Sequence, residues 1–428
     1  MTPAIGFSGS RGMLVVRWLH ELTLGLIVLG LLVSVAAGKY GGGSGSGSNP
    51  YQIRTAEDLD ALGNSPADWD KCFKLMADID LKSYDETNFH LIGNWVSFGD
   101  TANKPFSGIF DGNGRTIANF RYKDMRQNGI GLFRYVNIGE IRNLRLKNVK
   151  IVTDGVDVGA LVGRFGGGGV GDCHVMDADV TGNTRVGGLV GNADGLVSQC
   201  SSRGRVAGIL YVGGLVGSVG QATVKKSYSK ASVSGNDSVG GLVGATVNEA
   251  SVVDSCYANG KVSGATYAGG LAGQVVTGRV YQCYSTGAVT GNQYAGGLVG
   301  NRRVLSDVIV SFWDAQTSGR ATSAGGTSKT TAEMWSADTY NGWGDFDLTW
   351  SICEGRNYPV FWWQVPTSDL RCPDGVNGVD FASFAMQWDR SDCGAVNWNC
   401  DWADFDDSGS VGFPDLVILS QEWLTGMY

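Results

Sequence analysis

Asp404, Asp406, Ser408 and Ser410 stand at alternate positions of a short acidic run that closes on Asp415, with Gly409 between the two serines. Oxygen donors at positions 1, 3, 5, 7 and 12 of a twelve-residue loop, with glycine at 6 for the sharp turn, are the spacing that wraps a Ca²⁺ ion. The Ser410 carbonyl supplies the donor at position 7, and Asp rather than Glu stands at 12. A second copy precedes it. Setting Val379 against Val411 and Phe381 against Phe413 puts Cys372, Asp374 and Val376 at positions 1, 3 and 5 and Ser383 at 12, so Asp374, Asp380 and Ser383 are its candidate ligands. One good Ca²⁺ site and one weak or empty one are expected. The alternative is an EF-hand-like loop that merely folds a small tail domain when Ca²⁺ is present.

Other reactive residues give weaker signals. Asp154, Asp157, Asp172, Asp177, Asp179 and Asp194 cluster near Arg185, and a glycosidase needs two carboxylates about 5 to 9.5 Å apart across one groove. These acids do not recur at one position of the repeat described below, and acids beside glycine read as solvated turn residues, so no enzyme activity is expected. The run Gly166–Gly169 lacks the Lys-Ser/Thr of a phosphate loop, and His20-Glu21 lacks the second His of a zinc peptidase. Among nine cysteines, Cys393 and Cys400 are close enough to staple a small tail domain; Cys353 and Cys372 flank a linker and Cys72 is left odd.

The element that must position everything else is a repeat. Val/Ala-Gly-Gly-Leu-Val-Gly, or a near variant, returns every 26 to 29 residues, at Val158, Val186, Val212, Val239, Ala268 and Ala295. Within each interval short β-rich runs end at Gly or Asn, which reads as three strands per turn of a solenoid. Stacked turns lie about 4.8 Å apart and form ladders of like side chains. The glycine pair permits a tight corner and a close approach of successive backbones. Gly131-Leu132-Phe133 with Ile141, Leu144 and Val149 extends the array upstream, and Phe106–Gly114 reads as a degenerate entry coil. The fold class is all-β: a parallel β-solenoid of about seven to eight coils with a small α-helical, EF-hand-like C-terminal domain. Cys173, Cys200, Cys256 and Cys283 share one coil position with Leu144, Ser227 and Ser311. That position reads as a buried thiol ladder, with Cys173–Cys200 and Cys256–Cys283 as candidate disulfides because stacked strands lie within bridging range.

The flanks follow from this plan. Arg11 and Arg17 precede the apolar run Leu22–Val35, which ends in small residues as a secretory signal does. Cleavage near Ala37 is expected, with an uncleaved anchor as the alternative, though the run is shorter than the roughly 20 residues of a span. The chain without residues 1–37 has two Arg and one Glu fewer and a net charge of −9 against −8, which argues against nucleic acid and anionic membranes as partners. Domains are expected at 1–37 (signal), 38–49 (flexible Gly/Ser linker), 50–128 (N-terminal cap and entry coil), 129–320 (solenoid), 321–366 (Trp-rich cap) and 367–428 (calcium module). Thr55 and Asp58 form a helix-capping pair. Trp335, Trp343, Trp350, Trp362 and Trp363 are read as rings closing the end of the core, with stacking on sugars as the alternative. Tyr211, Tyr267 and Tyr294 are expected to stack as an exposed stripe.

The Gly-Gly-Leu-Val-Gly blocks resemble the GLUG motif of bacterial surface proteins, adhesin-like chains and some IgA-specific metallopeptidases. Tyr51–Leu81, Phe110–Gly114, Thr330–Met334 and Tyr358-Pro359 also resemble what flanks such arrays. The resemblance implies a secreted or surface-displayed β-solenoid without a known activity. The tail resembles a type I dockerin, which implies a cohesin-like protein as partner. Together these give a secreted or cell-surface, non-enzymatic structural or adhesion protein with a Ca²⁺-binding docking module. A polysaccharide-binding or polysaccharide-degrading component recruited through the tail is the alternative, with surface polysaccharide as its partner.

Overall fold

A computed structural model describes residues 39–424 apart from 126, 395 and 396. The expected signal segment, 1–37, lies outside the described residues. No helix among them is long and apolar enough to cross a membrane.

The chain winds into a parallel β-solenoid of about seven turns. The motif positions register as the repeat demands: Val158, Val186, Val212, Val239, Ala268 and Ala295 pair in sequence up one sheet. Val162, Val190, Val216, Val243, Ala272 and Val299 do so up a second. The upstream coil joins at Phe133 opposite Val162, and the entry coil at Phe110 opposite Ile141. The third side is one long sheet broken by corners, so a regular coil holds up to five short strands rather than three. The coil from Asp237 to Gly264, for example, has strands at Asp237–Gly240, Val243–Thr246, Val252–Asp254, Tyr257–Ala258 and Val262–Gly264.

Corner and close-approach roles are divided differently from the expectation. The motif glycines from Gly187 to Gly297 all lie outside the positive-φ region. A Cβ on Gly187 would fall on the Val190 carbonyl, and one on Gly214 on the carbonyl of Gly241 in the next coil. These glycines are there because another backbone occupies the space of a side chain. The left-handed corners fall instead to larger residues. Asn143, Asp172, Gln199, Lys226, Ser255, Gln282 and Val310 form one ladder of φ between +38° and +54° just before the cysteine position. Each such L-residue carries a conformational cost that inter-coil pairing must outweigh.

The enclosed core is the stack of Val, Leu and Ala together with Cys173, Cys200, Cys256 and Cys283, all buried and all free thiols. Neither candidate bridge in the ladder is formed. Burial, and then the neighbouring Cys200 thiol, holds Cys173 well above the usual thiol range, and Cys256 is raised in the same way beside Cys283. Ser227 and Ser311 fill the same rung, their hydroxyls accepting from the N–H groups of Cys200 and Cys283.

The N-terminal region continues the coil instead of lying across it. Tyr51–Ile53 pairs with Cys72–Leu75, which pairs with Ile109–Asp111. Helix α1 (Ala56–Gly63) has the Thr55–Asp58 capping box and buries Leu59 and Leu62. The Gly/Ser tract departs from the flexible linker expected of it: Gly41 N–H donates to the Gln52 carbonyl, Gln52 N–H donates to the Gly42 carbonyl, and Tyr40 packs on Tyr51 and Phe73.

The Trp-rich segment covers a flank and not the core's end. Tyr228, Tyr257 and Tyr284 stack on the outer face of the long sheet, with centroids 4.9 and 5.0 Å apart and planes within 4°. That spacing is the inter-strand distance itself. Trp343, Trp350, Phe361 and Tyr340 bury this ladder in a second core. The last coil is closed by Trp313, whose ring leaves no room for a Cβ at Gly297. In the exposed stripe, Tyr267 and Tyr294 do meet at 5.3 Å, but Ser238 stands between Tyr211 and Tyr267 in the register and breaks the stack.

Leu242→Ala, at the centre of the array, is expected to cost about 3 kcal/mol, read as a lowered denaturant midpoint. Gln199→Asn, which suits the left-handed corner, is expected to raise the midpoint by roughly 0.5 kcal/mol equivalent. The four ladder thiols are expected to resist alkylation until the chain unfolds.

Candidate metal centre

In the tail, helices α2 (Gly378–Met386) and α3 (Phe413–Glu422) pack through Val376, Phe384, Cys400, Ala403, Val411 and Leu419. Phe384 and Phe405 stack across the pair at 5.7 Å. A disulfide joins Cys393 to Cys400, and another joins Cys372 to Cys353 on the flank layer. The two cysteines that flank the expected linker are therefore bonded to each other and tie the tail to the solenoid.

The second loop gathers its acids as the spacing requires. Carboxylate oxygens of Asp404, Asp406 and Asp415 lie within 4.8 Å of one another. Asp415 is fully buried at the start of α3. Its Oδ1 accepts from the N–H groups of Phe405 and Asp406 at 2.7 and 3.3 Å, and its Oδ2 from Gly412 N–H at 2.8 Å. Asp404 accepts from Ser408 and Gly409 N–H, which is possible because Gly409 takes φ of +86°. The Ser408 hydroxyl and N–H hold the Asp406 carboxyl below its ordinary range. Ser408 Oγ sits 3.2 Å from the Ser410 carbonyl, so the donors at positions 5 and 7 are also adjacent. Three carboxylates prepositioned by backbone N–H groups around a common point suit a hard cation with oxygen ligands.

The first loop is in a different register from the one the sequence suggested. Asp380 Oδ1 accepts from Leu370 and Arg371 N–H and its Oδ2 from Asn377 N–H. That is the same set Asp415 makes in the second loop. Asp380 therefore stands at position 12, Asp369 at position 1 and Val376 opposite Val411, three residues away from the alignment on Val379. Ser383 is not a ligand position; it lies on α2, where its Oγ accepts from Arg371 Nε at 2.7 Å. Asp369, missed in the sequence, joins Asp374 and Asp380 within ligand range. Its Oδ1 is buried with no hydrogen-bond partner among the described residues, and burial together with the Asp380 and Asp374 charges pushes its carboxyl up to about 6. Arg371 replaces the acid of position 3, and Arg356 pairs with Asp374 at 3.5 Å. Two guanidinium groups thus line the pocket that holds Asp374 and Asp380. The donor set of the second loop fits Ca²⁺ better.

Of the six clustered acids, the coils bring together Asp157 and Asp194, and both meet Arg164, at 3.2 and 4.0 Å; Arg185 also pairs with Asp157. Asp172 instead pairs with His174 at 3.0 Å. Asp154, Asp177 and Asp179 do not join the pair.

A family model described as the GLUG motif matches residues 182–207 and 264–290. Halomucin of Haloquadratum walsbyi is 34% identical over 157 residues, 36% of this chain and 2% of that protein. A proposed Gly-rich membrane protein of Evansella cellulosilytica is 38% identical over 128 residues, 29% of this chain and 14% of its own length. The chain thus spans a small fraction of the curated relatives it matches. A solved structure, a proposed immunoglobulin A1 protease from Bacteroides ovatus, is similar at 22% identity and a TM-score of 0.49, covering 77% of this chain and 96% of that one.

Calorimetric titration of the full chain with Ca²⁺ is expected to show one dominant site that Asp406→Ala removes. Asp374→Ala is expected to leave that site intact.

Proposed function

We propose that this GLUG-repeat β-solenoid is an exported, non-enzymatic structural or adhesion rod whose C-terminal module is organised by Ca²⁺ for docking. The observation that carries the reading is the second loop, where backbone N–H groups already hold the position-12 carboxylate and Asp404 and Asp406 face it. Asp404, Asp406 and Asp415 would hold the ion through side-chain oxygens, with Ser408 and Ser410 completing the set. Bound Ca²⁺ would offset the repulsion of three gathered carboxylates and so rigidify the loop that enters α3.

Export is supported by the basic-then-apolar segment at 1–37 and by two disulfides outside the repeat, since such bonds persist in oxidising compartments. A scaffold role is supported by a solenoid whose repeated positions are core filler. The acids Asp157 and Asp194 converge on the Arg164 guanidinium and are read as structural ion-pair partners, not as a catalytic pair. Val379, Phe381, Phe413 and Val417 are exposed on the two tail helices and offer apolar anchors for a cohesin-like partner.

The test is capture of the full chain on immobilised cohesin modules with Ca²⁺ or with chelator, alongside assays for release of reducing sugars and cleavage of immunoglobulin A. Calcium-dependent capture lost in Asp404→Ala, with no turnover, is the expected result. Capture indifferent to chelation, or turnover of either substrate, would overturn the reading.

A further inference from the structure

The first coils depart from the repeat at one place on their surface. In the register of the second sheet, Tyr135, Arg164 and Asn192 occupy successive rungs, followed by the small Ser218 and Ala245 and then by Gln274 and Asn301 in the distal coils. Beside them, at the adjoining corner, Asp157 and Arg185 precede the motif valines. The loop between the bridged residues Asn94 and Lys104 overhangs this face, and a groove of about 980 Å³ lies beneath it. From Tyr135 through Arg164, Asn192 and Gln221 to Asn248 the groove crosses four coil-to-coil steps, about 19 Å along the axis.

Its chemistry is specific. Asp157, 1% exposed, accepts from both Arg164 and Arg185, and Arg164 also approaches Asp194. These four are the charged residues of the lining, two of each sign, so the groove is neutral overall. The guanidinium of Arg164 lies over the Trp95 ring at 4.4 Å, and Tyr135 meets the same ring edge-on at 5.0 Å. Phe98, 86% exposed, stands at the lip. Among the described residues, one N–H of the Arg164 guanidinium is hydrogen-bonded, through Nη1 to Asp157. The side-chain amides of Asn137 and Gln221 and the Tyr135 hydroxyl make no hydrogen bond to protein there. A fixed guanidinium has five donors and each amide has both donors and acceptors. A guanidinium held in place by Asp157 and Trp95, amides with open hydrogen-bonding capacity and an exposed Phe98 ring in a charge-balanced cleft match a ligand of many hydroxyls and apolar C–H faces.

We propose that this groove is a binding site for a neutral oligosaccharide, with the exposed Phe98 ring as the stacking face and Arg164, Asn137 and Gln221 as hydroxyl partners, while buried Trp95 holds Arg164 in place. Its length suits a chain of sugars, and its balanced charge disfavours polyanions. The inference goes beyond the scaffold reading and does not depend on the calcium module. It gives the rod a ligand class, and no bond is made or broken.

The test uses the full chain with calcium chelated. Retention in affinity electrophoresis through soluble neutral polysaccharides (glucans, mannans, xylans and galactans) is followed by calorimetry with oligosaccharides of the retaining type. At least one neutral type is expected to bind. Phe98→Ala, Asn137→Ala and Gln221→Ala are each expected to weaken binding by about tenfold at an unchanged melting temperature. Tyr294→Ala, on the exposed stripe of the distal coils, is expected to leave binding unchanged. Absence of binding across the panel, with the fold and the Ca²⁺ site intact, would leave the Arg164 cluster as a clamp for the overhanging loop and overturn the proposal. Binding that survives all three groove variants, is lost in Tyr294→Ala, or is confined to anionic polysaccharides would overturn it equally.

Discussion

Everything in this molecule depends on parallel backbone pairing between turns at the inter-strand distance, with so little room at the motif corners that a β-carbon would strike the neighbouring carbonyl. That approach fixes the register, and the register fixes which side chains meet. Identical residues then stack, so one choice of residue type is made at once for a whole ladder: leucine and valine inside, thiol or hydroxyl at the cysteine rung, tyrosine on one outer face. The same constraint makes the left-handed corners tolerable. A strained Lys226 at φ near +50° is held because its own N–H donates to Asp254 in the next turn while Tyr228 N–H, two residues on, donates to Cys200 in the previous one.

A ladder that faces outward is as much a consequence of stacking as the core is. Three tyrosine rings at the strand spacing make an apolar strip on the sheet's exterior, and the tryptophans of the chain's last third cover it. The Cys353–Cys372 bond then fastens the C-terminal helical module to that covering layer. The structure is thus built from the coil outward: enclosed core, flank layer, tail. The groove under Trp95 and Phe98 belongs to the other side, where the first coils break the ladder rule with Tyr135, Arg164 and Asn192 on successive rungs.

Repetition is what made the fold legible. Val158 and its five equivalents, the leucines three residues on and the cysteine rung could be placed because each was written several times, and errors at one copy were corrected by the others. The convergence of the second loop's acids was legible for a related reason: Asp404, Asp406 and Asp415 stand at a spacing that brings their carboxylates together. The first loop was misread by three residues because Val379 and Phe381 offered a plausible apolar match to Val411 and Phe413. What identifies Asp380 as its true position-12 acid is the set of backbone N–H groups it accepts, and these have no trace in residue type.

The sequence by itself determined the solenoid, its period, its interior and the gathering of three acids in one tail loop, since these depend on local spacing and on self-similarity. Only the tertiary structure decided that the tryptophans cover a flank, that the Gly/Ser tract is laid against the first coil, that Cys353 meets Cys372, and that Asp157 and Asp194 converge on Arg164. Each joins positions with no shared period, from different coils or from the solenoid and what folds back on it. Their proximity is set by how the turns stack, which no single stretch of sequence encodes.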